Sequence, residues 1–510
     1  MPKPTVHFDN SQIDPEVFEE RVMQSAKAFS ELGVAAGDVI ALMLHNEPLM
    51  LEMMLAARHI GVHYCLINWH FKAAEVGHIL KDSKSVVFVV HANLLPQIEG
   101  GIPEGIRVLI ATPSAATRRA FGLDAASCLP KPNFSIWEEH RDAQNREPVP
   151  PAVPGSLLAY TSGTTGLPKG VRRYPPTLEQ IQNIARACFH VLGIGPGMRT
   201  LVSAPLYHSA PSTYSVQAAL SDAHIWLEPR FDAESTLALI EAHGITHAYL
   251  VPTMYRRLLQ LPEAVRRRYD TSSLSFVAST GAPCPPTVKR DMIAWFGPVI
   301  HESYAASELG WITHIDSHEA TARPGSAGKP IEGAGITIIT EEGKQAAPRE
   351  VGLIYARDPG MPDFTYSGND EARRKLELDG RWTLGDMGYL DEDGYLYVVD
   401  RKADMVISGG VNIYPAEIEA MLATMSGVAD SAVFGIPCEE FGESLLAVVQ
   451  PLKGASIDPE SVQSFLRERI AGFKVPRQVL FMDQLPREDT GKIFKRKLRD
   501  PYWSEAGRRV

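Results

Sequence analysis

The chain has 510 residues, more than one ordinary hydrophobic core organises, which predicts at least two domains. Hydrophobic residues at 45% and charged residues at 22% place it among soluble globular proteins. A formal net charge of -11 excludes a general nucleic-acid or anionic-membrane surface, so any phosphate ligand must be held by a local site.

In chain order, Asp14 and Pro15 can open a helix that Gly33 ends, with Phe18, Val22, Ala26 and Phe29 on one face. Residues 39–44 read as a buried strand, 48–60 as a helix, and 63–67 and 86–90 as strands. This is the rhythm of an α/β parallel sheet. The Pro-rich stretch 147–154 interrupts it. The alternation then resumes with helix 178–192, strand 200–204, helix 234–243 and strand 247–251. The predicted fold class is therefore α/β, with a large N-terminal domain of two α/β lobes over residues 1–400. The tail differs. It reads as strand 395–399, helix 415–424, strands 431–436 and 445–449, helix 459–470 and strand 478–482. Val462, Phe465, Leu466 and Ile470 give the last helix one apolar face. Residues 401–510 are thus predicted to form a small α+β C-terminal domain.

Cys65, Cys128, Cys188, Cys284 and Cys438 are widely spaced without a CxxC, which fits reduced thiols in a cytoplasmic protein and disfavours zinc. Early acids (Asp9, Asp14, Glu16) without a long apolar stretch predict no signal peptide, and no segment is long enough to span a membrane. The final Gly-Arg-Arg-Val is not a peroxisomal address.

The sharpest local feature follows the apolar run 157–160. Thr161, Ser162, Gly163, Thr164, Thr165, Gly166, Lys169 and Gly170 crowd backbone N–H groups, hydroxyls and one cation into a single loop. Such a loop suits a polyphosphate. A flexible surface turn is the plain alternative, but the lysine and the preceding strand argue against it. A Walker loop needs Gly-Lys-Ser/Thr, whereas Gly170 follows Lys169, which disfavours a P-loop kinase or GTPase.

This loop resembles the phosphate-binding signature of the adenylate-forming (acyl-CoA synthetase, AMP-binding) superfamily. Further motifs of that family follow in order. Ala204 to His208 resembles the aromatic-His motif beside the acyl pocket. Ser279 to Pro283 resembles the adenine-side loop, and Tyr304 to Glu308 the Tyr-Gly-x-Thr-Glu motif. Thr383 to Asp386 resembles the ribose motif. Asp400-Arg401, Ser408 to Gly410 and Gly491-Lys492 complete the set. The resemblance spans nearly the whole chain.

The resemblance implies an acyl-CoA ligase using ATP, Mg²⁺ and coenzyme A, with a mobile C-terminal domain. It assigns Lys492, Ser307, Glu308 and His208 to catalysis, with Glu308 on the metal. The nucleotide would be held by the loop Thr161 to Gly166, Lys169, Gly281, Ala282, Glu302, Ser303, Tyr304, Asp386 and Arg401. Tyr304 would pack on adenine and Asp386 would take the ribose hydroxyls. Ser408, Gly409 and Gly410 would face coenzyme A. Tyr207, His208, Ala305 and Trp311 would line the acyl pocket, and Lys402 and Ala403 would form the hinge. The expected partners are a carboxylic acid of fatty, aryl or steroid-side-chain type, ATP and CoA. A homodimer is allowed, while nucleic acid and an integral membrane segment are not expected.

Each residue type suits its role. A carboxylate such as Glu308 matches a hard cation, though a solvated surface acid is the plain alternative. Asp386 beside Gly385 could merely cap a turn. Lys492 sits in a basic run with Lys495, Arg496 and Lys497 that otherwise reads as a solvated face. Carboxylate attack on the α-phosphate joins two anions, and a lysine bridging them lowers that barrier. His208 could gate the acyl pocket or satisfy a buried hydrogen bond.

Three departures stand out. Ala305 replaces the usual glycine, Ala403 replaces a commoner Asp or Lys at the hinge, and the leading segment before Pro15 is short. Transfer to a carrier protein in trans, a luciferase-like reaction and a non-catalytic acyl or nucleotide sensor are the competing readings.

Overall fold

The computed structural model describes residues 3–161, 168–487 and 493–505. Two mostly parallel sheets organise the first three hundred residues. In the first, the order is Phe364–Tyr366, Lys169–Arg173, Leu157–Thr161, His63–Leu66, Val39–Met43, Val87–His91, Arg107–Ala111 and Ser135–Ile136. Val39–Met43 is buried at every position, as expected for a strand covered on both faces. Helix Pro48–His59 is almost wholly buried between that sheet and helix Pro15–Glu31. Its Glu52 is tolerated there because Arg21 and Arg141 each approach to 3.4 Å.

The second sheet runs Ile300–Glu302, Phe276–Ser279, His247–Tyr249, Arg199–Val202, His224–Leu227, Thr5–Phe8 and Ser11–Ile13. The two expected lobes are present, but they are not successive stretches of chain. Thr5–Phe8 pairs in parallel with His224–Leu227, so the N-terminus is built into the second lobe. Four-residue strands carry too little periodicity to be read before Asp14.

A third, antiparallel sheet had no counterpart in the sequence reading. Gly352–Arg357 is flanked by Gly335–Ile339, Arg381–Trp382 and Asp386–Leu390, and the last pairs with Leu396–Arg401. It carries Asp386 and Arg401 as direct neighbours across the ladder. The tail forms a five-stranded sheet dominated by the hairpin Val428–Cys438 and Gly442–Pro451, with Gln478–Phe481 parallel to the latter. Helices Pro415–Leu422 and Pro459–Arg467 cover it through Ile418, Leu422, Val462 and Leu466, all fully buried. Helix Lys495–Glu505, read from sequence only as a basic run, packs on the hairpin, and Trp503 Nε1 donates to Gly435 O at 3.1 Å.

All five cysteines are free. Among the described residues, no helix is long and apolar enough to cross a membrane.

Candidate active site

Strands Leu157–Thr161 and Lys169–Arg173 pair antiparallel and bracket the phosphate loop. Ser162, Gly163, Thr164, Thr165 and Gly166 lie outside the described residues. Both ends of the loop are gripped by helix Ala73–Ser83. Tyr160 donates to Asp82 Oδ2 at 2.6 Å, and His78 Nε2 lies 3.0 Å from Pro168 O. Gly170 is required by space: a Cβ would come within 2.9 Å of the Tyr160 ring. Lys169 Nζ stands 5.6 Å from the centroid of the Tyr366 ring.

Glu308 closes this corner. Its Oε1 accepts from Tyr366 OH at 3.1 Å and from Thr161 Oγ1 at 3.4 Å. Burial pushes the carboxyl upward, opposed by those hydrogen bonds and by the charge of Arg173. Arg173 donates to Ser307 O at 2.7 Å, fixing the backbone beside Glu308. Ser307 Oγ and Ser209 Oγ are 2.9 Å apart. This contact joins the Tyr304 to Glu308 segment to the helix that starts just after His208.

The Ala204 to His208 segment is anchored from the first lobe. Asn46 donates to Ala204 O at 2.9 Å and accepts from Leu206 N–H at 2.8 Å. Tyr207 is buried edge-on against Trp69, with ring centroids 4.5 Å apart, and its ring lies 4.3 Å from that of His208. Ala305 and Trp311 are partners across a two-residue ladder, so the position that departs from glycine faces an aromatic neighbour.

On the nucleotide side, Gly281 has φ +91°, a left-handed turn that glycine makes without strain. Thr280 Oγ1 donates to Ser303 O at 2.9 Å, and Ser303 N–H donates to Ser279 O at 3.1 Å, so the two segments are zipped together. Ala282 follows directly on this turn. The Glu302 carboxylate is engaged in a buried ion pair with Lys289 at 3.0 Å; what Glu302 and Ser303 offer this junction is chiefly backbone. Tyr304 OH donates to Asp386 Oδ2 at 2.7 Å, and Arg401 Nε reaches Asp386 Oδ1 at 3.3 Å.

The hinge residues are held from opposite sides. Lys402 N–H donates to Gly385 O at 2.8 Å, while Ala403 O accepts from Arg499 of the C-terminal helix at 3.3 Å. Ser408 Oγ donates to Glu443 O at 2.7 Å. Gly409 and Gly410 take φ +59° and +79°. Lys492 lies outside the described residues, as does Gly491.

The structure therefore gathers Thr161, Lys169, Ser307 and Glu308 at one corner and Tyr304, Asp386 and Arg401 at another, joined by a single short segment. Sequence reasoning missed Asp82, His78, Arg173, Tyr366, Asn46 and Ser209. None sits in a recognisable motif, and only spatial contact reveals them.

A single carboxylate beside hydroxyls fits a magnesium ion carried in by phosphates, since that ion keeps few protein ligands. Among the described residues no group of three metal-ligating side chains occurs, so no all-protein metal cage competes with this assignment.

Comparison with known proteins agrees with this arrangement. The chain is 31% identical to an indoleacetate–CoA ligase of Aromatoleum aromaticum, over 98% of this chain and 94% of that protein. It is 33% identical to a feruloyl-CoA synthase of Amycolatopsis, over 94% and 92%. The fold superposes on the crystal structure of the anthranilate CoA ligase AuaEII with anthranoyl-AMP at a TM-score of 0.85, with 24% identity and coverage of 99% and 95%. Residues 417–492 match the AMP-binding enzyme C-terminal domain. With residues 3–362 matching the AMP-binding enzyme model itself, the chain belongs to the AMP-binding enzyme family.

Proposed function

We propose that this protein activates an apolar carboxylic acid, aryl or fatty, as an acyl-adenylate and passes the acyl group to coenzyme A. It is an AMP-forming acid–thiol ligase. The observation that carries the residue assignment is the convergence of Tyr304, Asp386 and Arg401 beside Glu308, from segments more than eighty residues apart.

In the first half-reaction, a carboxylate oxygen attacks the α-phosphorus of ATP and the bond to pyrophosphate breaks. Lys169 and the loop from Thr161 to Gly166 hold the phosphates. Asp386 and Arg401 hold the ribose, and Tyr304 closes over adenine. Glu308 would hold the magnesium that accompanies ATP, which when bound neutralises charge on the phosphates. Lys492 bridges carboxylate and α-phosphate, where charge develops. In the second half-reaction the thiol of coenzyme A attacks the acyl carbonyl, AMP departs, and the thiol proton is released to solvent. Ser408, Gly409 and Gly410 face the pantetheine arm.

Both steps use one cleft because the C-terminal domain, residues 401–510, turns about Lys402 and Ala403. The opposed anchoring of these two residues, one to Gly385 and one to Arg499, supports that pivot. Tyr207, His208, Ala305 and Trp311 line the acyl pocket, with Trp69 behind Tyr207. The aryl acids named for the relatives favour an aromatic acid first. Free cysteines in a protein that consumes ATP and CoA support a cytoplasmic location.

The deciding measurement is pyrophosphate release with a panel of aryl and fatty acids, with and without CoA. A ligase releases pyrophosphate with its acid and turns over continuously only with CoA. No release with any acid would leave a binding protein without turnover.

A further inference from the structure

Strand Val428–Cys438 of the small domain carries Asp430, whose carboxylate is held from two sides. Arg256, on the large-domain helix Pro252–Leu259, donates through Nη1 to Oδ1 at 2.5 Å. Arg487 donates through Nη1 to Oδ2 at 2.7 Å, and its Nη2 reaches Gln450 Oε1 at 3.2 Å. The three charged side chains are between 13% and 24% exposed, so the contact is largely withdrawn from water.

Arg487 occupies a special place in the chain. It bridges antiparallel to Ile493, and Phe494 N–H donates to Pro486 O at 2.8 Å. The segments flanking residues 488–492 are therefore clasped together, and Lys492 is the last of those five residues. Gln450 reinforces the clasp by accepting from Leu485 N–H at 3.2 Å. On the other side, Arg256 is close enough to Cys284 for its charge to act on that thiol. Cys284 directly follows the adenine-side loop that ends at Pro283. The small domain thus presents the clasp toward the nucleotide end of the large domain.

We propose that Asp430 is a positioning residue for adenylation: it ties the clasp at Arg487 to Arg256, so that the segment bearing Lys492 is held against the nucleotide site. This rests on the reading that Lys492 acts in adenylation. One carboxylate accepting from two guanidiniums makes charge-assisted bonds stronger than a single exposed pair would give. Asp430 touches no reacting atom. Its removal changes the fraction of molecules docked in this pose and leaves the chemistry of a docked molecule intact. Thioester formation, which uses another pose, does not depend on it.

The test measures each half-reaction separately in Asp430→Ala, Arg256→Ala, the double variant and Lys492→Ala, with thermal melting alongside. Asp430→Ala and Arg256→Ala should each slow acyl-adenylate formation roughly three- to tenfold, in kcat rather than in the ATP KM. Thioester formation from supplied acyl-adenylate should stay at the wild-type rate. The double variant should be no slower than Asp430→Ala, because both changes cut one link. Added salt should slow adenylation more in the wild type than in Arg256→Ala. Arg256→Ala changes only a half-buried large-domain side chain and keeps the test valid if Asp430→Ala melts early. Unchanged adenylation in Arg256→Ala, equal loss of both half-reactions, or additive effects in the double variant would overturn the proposal. Normal adenylation by Lys492→Ala would remove the functional reading and this proposal with it.

Discussion

The Tyr304 hydroxyl donates to Asp386 across 82 residues of sequence, at 2.7 Å, while Arg401 takes the other carboxylate oxygen at 3.3 Å. A residue expected to stack on adenine and a residue expected to bind ribose are thus one unit before any nucleotide arrives. The Tyr304 hydroxyl is held well above its ordinary range, first by burial and then by the Asp386 charge, so it remains a neutral donor.

Asp386→Ala should raise the ATP KM strongly. It removes two charge-assisted bonds to ribose, each about 1.5–3 kcal/mol, and leaves Tyr304 and Arg401 without their shared partner. Tyr304→Phe keeps the ring and the carboxylate and should raise KM only severalfold, on the scale of about 1 kcal/mol for one hydrogen bond. Steady-state pyrophosphate release against ATP measures both. A normal ATP KM in folded Asp386→Ala would restrict Asp386 to tethering its two neighbours.

Glu308 should set an acid limb. Burial raises its carboxyl in the free enzyme, and the charged form is the one that serves the cation and phosphates. kcat/KM for ATP should therefore fall as pH falls through that raised value, at a higher pH than an ordinary carboxylate would give. Glu308→Gln should lower kcat/KM by roughly 10²-fold, the scale of one preorganised electrostatic contact, and flatten the limb. An unshifted limb in Glu308→Gln would assign it to another group.

The two half-reactions should separate by mutation. Lys492→Ala should slow adenylation by roughly 10²-fold or more and spare thioester formation from supplied acyl-adenylate. Gly409→Leu should do the reverse. Gly409 has φ +59°, and a Cβ there would meet Phe441 at 3.1 Å, so leucine is strained and fills the pantetheine path. Gly409→Asn tolerates the left-handed backbone better and serves as the fold control. Acyl-adenylate should accumulate in Gly409→Leu. Intact CoA transfer in that variant would mean the acceptor enters elsewhere.

Ala305→Gly should widen the range of acids accepted. Ala305 faces Trp311 across its ladder, so deleting its methyl opens space beside an aromatic wall. The measurement is kcat/KM across acids of graded bulk, where one methylene changes selectivity by about 1–3 kcal/mol. An identical profile would take Ala305 out of the pocket.

The sequence by itself determined the chemistry and the class of fold. Hydrophobic alternation located strands such as Val39–Met43 because a fully buried strand must be apolar throughout. The motif residues Lys169, Glu308, Asp386 and Arg401 stood out because phosphate, metal and ribose each demand a narrow set of side chains. Only the tertiary structure decided the rest. The antiparallel sheet that places Asp386 opposite Arg401 is made of short, half-exposed strands with weak periodicity. Thr5–Phe8 joined the second lobe through backbone pairing that any four apolar-leaning residues can make. Tyr366 on Glu308, Asp82 on Tyr160 and Arg256 on Asp430 are contacts between residues 58, 78 and 174 positions apart. Their chemistry is ordinary in isolation, and it becomes specific only when the fold removes water and brings the partners within hydrogen-bonding distance.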